Sequence, residues 1–216
     1  MAGSDMVRYS DKITRPEAEA LARYLKQSGF FQDHGVTVEL SRRADGAFVS
    51  FSVKDGFWDN AEYIDSIELL GAEIASAAVN PPLTIELLDP KGVSRRQVRI
   101  TRRVVHVGKN DLVYYQGSAT GEDAKALGKA LQENGFFADT GRAIDLSKGA
   151  EGTVITLNIN AAAWGNPQYQ KSAIEFGRQI APAVGGLPIT LRLVKPLTLV
   201  EKVASVKPET VDLPIR

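Results

Sequence analysis

Apolar side chains recur at two periods along this chain, and the periods alternate in the same order in both halves. After a short apolar stretch at Val7 to Tyr9, Ala18, Leu21, Ala22 and Leu25 fall at i, i+3, i+4 and i+7, the stripe of an amphipathic helix. Val36, Val38 and Leu40, then Val49, Phe51 and Val53, alternate with polar neighbours around Asp45-Gly46, which predicts a hairpin with one buried and one wet face. A second helical stripe, Ile67, Gly71, Ile74, Ala75 and Ala78, leads through Pro82 into a strand at Leu83, Ile85 and Leu87. A last strand is expected between Arg95 and Arg103. The whole layout returns 106 positions later, as the step from Gly29-Phe30-Phe31 to Gly135-Phe136-Phe137 shows, with no gap between Val7 and Ile100. A period this long makes each copy large enough for a core of its own.

The helix ends are written in local chemistry. Thr14 with Glu17, and Thr120 with Asp123, place a hydroxyl at the N-cap and a carboxylate three residues on, the pattern of a capping box. Gly29 and Gly135 supply the left-handed residue that stops each helix, and the Phe pair behind each should fold back onto the helix end. Asn60, and Asn166 followed by Pro167, mark the second helix starts. Gly71 and Gly177 each cost about 1 kcal/mol of helix propensity relative to alanine, which points to a helix backbone lying close against a sheet. The order strand, helix, strand, strand, helix, strand, plus an appended strand, matches an α+β class: two tandem ferredoxin-like domains with antiparallel sheets and both helices on one face. The first repeat is placed at residues 7–107 and the second at 112–207, with terminal extensions at 1–6 and 208–216.

Composition narrows the function classes. The 216 residues are 44% hydrophobic and 24% charged, and Lys+Arg 26 balances Asp+Glu 26, so bulk charge suggests neither a nucleic-acid binder nor a membrane-surface binder. Without cysteine there is no disulfide and no thiol chemistry. No run approaches the roughly 20 apolar residues of a membrane helix, so this segment is expected to be soluble, and cytoplasmic if it is the whole protein.

Candidate chemistry is sparse. His34 and His106 have no ligand-spaced neighbours, and Asp33-x-Gly35 with Asp139-x-Gly141 reads as a helix-to-strand turn, so no metal, cofactor or catalytic residue is expected. The most specific recurrent cluster is Trp58, Asn60 and Tyr63, matched by Trp164, Asn166 and Tyr169. An indole, an amide and a phenol suit a ligand platform or a partner hot spot; the plainer reading is a helix cap with an aromatic roofing the core. The polar face of the hairpin, Ser50, Ser52 and Lys54 or Thr156, Asn158 and Asn160, lacks the stacking aromatics of an RNA-binding sheet. Arg95, Arg99 and Arg103 share one face by strict alternation and could meet an acidic partner; protection of an edge strand is the alternative.

Tyr-x-x-x-x-Thr-x-x-x-Ala, Leu-x-x-x-Gly-Phe-Phe-x-Asp-x-Gly and Trp-x-Asn before a second helix resemble an uncharacterised bacterial domain of unassigned function, single or in tandem, lying beside membrane-embedded or multidomain regions. The resemblance spans Val7 to Val206, implies an accessory or sensing role, and carries over no catalytic residue. The expected function is a non-catalytic interaction or accessory module that meets a protein partner or itself. A small-ligand sensor, with a pocket between the repeats or near Trp58 and Trp164, is the second expectation. An enzyme whose Asp, Tyr or Lys groups meet only in the fold is the third.

Overall fold

The computed structural model describes residues 5–10, 12–158, 167–194 and 201–207. The chain divides into two compact units, Met1–Val104 and Val105–Arg216. The first contains β1 (Met6–Tyr9), α1 (Arg15–Gln27), β2 (Thr37–Arg43), β3 (Gly46–Ser52), α2 (Ala61–Ala77), β4 (Leu83–Leu88) and β5 (Ser94–Ile100). Next, β6 (Arg103–Val107) crosses the division and joins the second sheet. The second unit continues with β7 (Asp111–Gly117), α3 (Gly121–Glu133), β8 (Ala143–Gly149), β9 (Gly152–Asn158), α4 (Pro167–Ile180), β10 (Ile189–Val194) and β11 (Glu201–Val206). α1, β2, β3 and β4 reappear at the 106-residue offset with identical bounds as α3, β8, β9 and β10.

Both capping boxes form. Thr14 N–H donates to Glu17 Oε2 (2.9 Å) while Glu17 N–H donates to Thr14 Oγ1 (3.4 Å), and Thr120 and Asp123 repeat this at 2.9 and 3.1 Å. Each box acid is also paired to the end of the next strand, Glu17 to Arg42 and Asp123 to Lys148, which pins the helix start to the sheet. At the other end Phe31 N–H bonds the Leu25 carbonyl and Phe137 N–H that of Leu131, folding the aromatic pair back over the last turn.

The sheets are α+β but do not have the expected ferredoxin-like order or an antiparallel pairing throughout. Neighbours follow sequence, β1-β2-β3-β4-β5 in one and β6-β7-β8-β9-β10-β11 in the other. β1 runs parallel to β2, and β3 to β4, with antiparallel hairpins between; β7 to β10 follow the same directions. Residues of α3 and α4 pack into one core with Val113, Ile144, Ile155 and Leu191, so both helices of the second unit cover a single face. Two same-direction steps across a sheet, with strands pointing up in one and down in the other and both helices on one side, cannot have the same hand. One of the two crossovers is therefore left-handed, against a right-handed preference of about 98%.

The second departure is confined to the middle of the face opposite the helices: Ser52, Lys54 and Asn158 are exposed as expected, but Ser50 is not. In the first unit Phe48, Ser50, Thr84 and Glu86 lie there and are all buried. The Glu86 carboxylate accepts from Ser50 Oγ (3.0 Å), Gln97 Nε2 (2.9 Å) and Arg43 Nη2 (3.0 Å). Arg43 in turn lies 3.9 Å over the Phe48 ring. Glu86 thus draws the side chains of Arg43 and Gln97 over the middle of the face. Asn160 lies outside the described residues.

Candidate functional site

The segment between β3 and α2 positions the first aromatic cluster. Gly56, at φ +87°, turns the chain into a single 3₁₀ turn, Phe57–Asp59, and Asn60 then caps α2 by accepting from Tyr63 N–H at 3.0 Å. Asn60 therefore acts as a cap. Tyr63 is half-buried with its ring edge-on to Phe57 at 4.9 Å, and burial pushes its phenol pKa up. Trp58 is half-buried beside a cleft of about 390 Å³, whose walls include Asp59, Asp65, Glu68 and Arg96 over Ala61 and Ile64.

Charge in this cleft is unevenly satisfied. Glu68 is 3.8 Å from Arg102, a loose pair between exposed groups, whereas Asp59 and Asp65 are exposed and take part in no ion pair among the described residues. The second repeat carries Gly165, Lys171 and Ile174 where the first has Asp59, Asp65 and Glu68. The indole position recurs, but the acidic setting belongs to the first copy.

The three arginines singled out by alternation are not brought together as one patch. A bulge between Leu87 and Leu88 shifts the register of β5. Arg95, the residue it displaces, forks onto buried Asp89 through Nε (3.0 Å) and Nη2 (2.8 Å) and lies 5.8 Å over Trp58. Arg99 stands opposite Thr84 on the face away from the helices. Arg103 opens β6, a different strand, and donates to Asn80 Oδ1 at 2.7 Å.

In the second unit Trp164 and Asn166 lie outside the described residues. Tyr169 is half-buried against the core and lines a separate cavity of about 270 Å³ with Phe136, Phe176, Leu157 and Leu193. Phe136 and Phe176 lie 5.5 Å apart, and Arg142 caps Phe136 at 5.1 Å while donating to its carbonyl. Among the described residues no group of three or more His, Asp or Glu is placed to hold a metal ion, and no helix is long and apolar enough to cross a membrane.

One recurrent pair escaped the sequence reading. Asp5 accepts from Asp33 N–H (2.8 Å) and Val36 N–H (2.7 Å), and Asp111 accepts from Asp139 N–H and Arg142 N–H, both at 2.8 Å. These carboxylates gather the turn between helix and strand, where Asp33 and Asp139 both take φ +60°. The signal was the 106-residue offset itself, since Asp5 lies two residues before the first matched position.

Comparison with protein families, with curated proteins and with solved structures finds no match, so the function has to be read from these residues alone.

Proposed function

We propose that the chain is a non-catalytic interaction module, two related α+β units arisen by duplication, and that the cleft beside Trp58 receives a basic segment of a protein partner. The observation that carries this reading is the meeting of a half-exposed indole with two carboxylates, Asp59 and Asp65, that form no ion pair among the described residues, in a cleft that also holds Arg96. A lysine or arginine side chain satisfies both features at once, its charge by the carboxylates and its stem or guanidinium by the ring. Copy two, with Lys171 in place of Asp65, would reject the same segment, so duplication would have yielded two surfaces of different preference.

A titration with a lysine-rich nonapeptide, followed by calorimetry at low salt, tests the reading. Binding should weaken at least tenfold when Asp59→Gly and Asp65→Lys install the second copy's residues, with the melting temperature unchanged. Equal binding by the double variant, or by a glutamate-rich peptide, would overturn it.

The small-ligand reading is favoured by one separate observation, the cavity of about 270 Å³ walled by Phe136, Phe176 and Tyr169. Three rings beside the Arg142 guanidinium suit an apolar molecule bearing an acidic group. The two readings concern different units and make no demand on each other.

A further inference from the structure

The same strand has an outer neighbour in one unit and none among the described residues in the other. β7 has β6 on its outer side, joined through the turn Gly108-Lys109-Asn110, so the second sheet continues one strand beyond β7. β1 occupies the equivalent place in the first unit and ends its described sheet. The effect on side chains is direct. Val113 and Tyr115 are 0% and 6% exposed, whereas Val7 is half-buried and Tyr9 is 48% exposed. β6 also leans on the neighbouring helix: a Cβ on Gly128 of α3 would meet Val107 Cγ2 at 2.5 Å. The matching residue of α1, Ala22, is half-buried.

The backbone of β1 is arranged to accept a partner. Met6 N–H donates to Val36 and Ser10 N–H to Leu40, so residues of this parity face β2. Alternate residues of a strand aim their amide groups at opposite sides, which leaves Val7 and Tyr9 pointing outward. The other edge of this sheet is guarded: β5 is bulged, and three of its seven residues are arginines. Charge and bulges are the usual defences of an edge against unwanted pairing. β1 has only Arg8 as a charge, together with Met6 at 43% exposure.

We infer that the outer edge of β1 is a strand-acceptor site for an extended segment of another polypeptide. The segment runs antiparallel to β1, the direction that the three-residue connection between the neighbouring strands β6 and β7 imposes on that pair, with apolar residues at alternate positions and one small apolar side chain seated over Ala22. Main-chain bonds to Val7 and Tyr9 supply affinity, and the alternating side chains supply selectivity, the logic of strand addition. The site is independent of the Trp58 cleft, so the failure of either leaves the other standing.

The probe is a synthetic peptide with the sequence of residues 101–109, added to the full chain and followed by amide hydrogen exchange. Exchange at Val7 and Tyr9 should slow at least tenfold, while Met6, Arg8 and Ser10 stay as they were. A peptide with proline in place of its central valine should fail. Val7→Pro removes one outward donor without touching the bonds to β2 and should abolish the effect; Tyr9→Lys, which alters only an exposed side chain, should weaken it. Unchanged exchange at Val7 and Tyr9, or equal protection by the proline peptide, would overturn the inference. So would a dimer by sedimentation that Val7→Pro dissociates, because the edge would then belong to a second copy of this chain.

Discussion

Asp111 is 1% exposed, yet its carboxyl is held below the ordinary aspartate range. Burial alone pushes the pKa up, but the backbone N–H groups of Arg142, Asp139, Gly141 and Ala138 outweigh it by solvating the charged form. Glu86 shows the same contest, with Gln97, Arg43 and Ser50 prevailing over burial. A lowered folded pKa stabilises the native state at pH values above the unfolded one, and that stabilisation disappears as pH falls through the folded value. Both groups therefore add to an acid limb below about pH 4.5. Asp111→Ala leaves the hydrogen-bonded N–H groups of Asp139 and Arg142 without their acceptor, so it should cost about 1–3 kcal/mol near neutrality. Urea unfolding measured from pH 7 to pH 3 should show that cost shrinking with acid as the wild type loses the same contacts. A penalty that stays constant over this range would show that charge has no part in it.

At the scale of the element, the helix glycines separate propensity from packing. A Cβ on Gly71 would lie 2.6 Å from Ile100 Cγ1 and 3.1 Å from Ile85 Cγ1, and one on Gly177 would lie 2.8 Å from both Leu191 and Val206. Alanine would gain up to about 1 kcal/mol of helix propensity, but overpacking costs about 1–3 kcal/mol. Gly71→Ala should therefore be neutral to destabilising by about 2 kcal/mol in denaturant melts. Ile100→Val, which deletes the Cδ1 found 2.7 Å from that position, should recover part of the loss in the double variant. Additive losses would refute the clash.

These same elements show what could be read in advance. The glycine against the sheet, the capping boxes and the folded-back Phe31 and Phe137 are legible because each depends on residues a few positions apart. Strand order is not, since periodicity assigns faces and says nothing of neighbours. The strong preference for right-handed crossovers further favoured an interleaved sheet over the sequential one. Glu86 escaped because it reads as the polar member of an alternating strand; its burial depends on Arg43 and Gln97, which come from two other strands. The bulge that removes Arg95 from the face of Arg99 leaves no mark in alternation at all. The Trp58 cleft was half legible: its indole stood out in the sequence, but Asp65 and Glu68 join it only because one helical turn brings i+3 neighbours onto one side.

At the scale of the molecule, equal numbers of acidic and basic residues give no net charge, so any electrostatic steering would have to come from local patches. Each unit also has its own apolar interior. The second core is drawn from α3, α4 and the strands β6 to β11, with Leu127 and Leu131 fully buried at its centre. Leu21 and Leu25 of α1 hold the corresponding places in the first unit. Deleting a buried leucine costs about 2–5 kcal/mol, a large share of what a domain of this size possesses. Leu127→Ala should therefore raise hydrogen exchange throughout β7 to β10 while β2 to β4 keep their protection, and Leu21→Ala should do the reverse. That outcome would establish the units as separate cooperative bodies, the condition under which their surfaces can differ at Asp59 and Asp65 without either disturbing the other's fold. Loss of protection across both sheets from either substitution would mean that the halves unfold as one, and independent divergence of their surfaces would lose its physical basis.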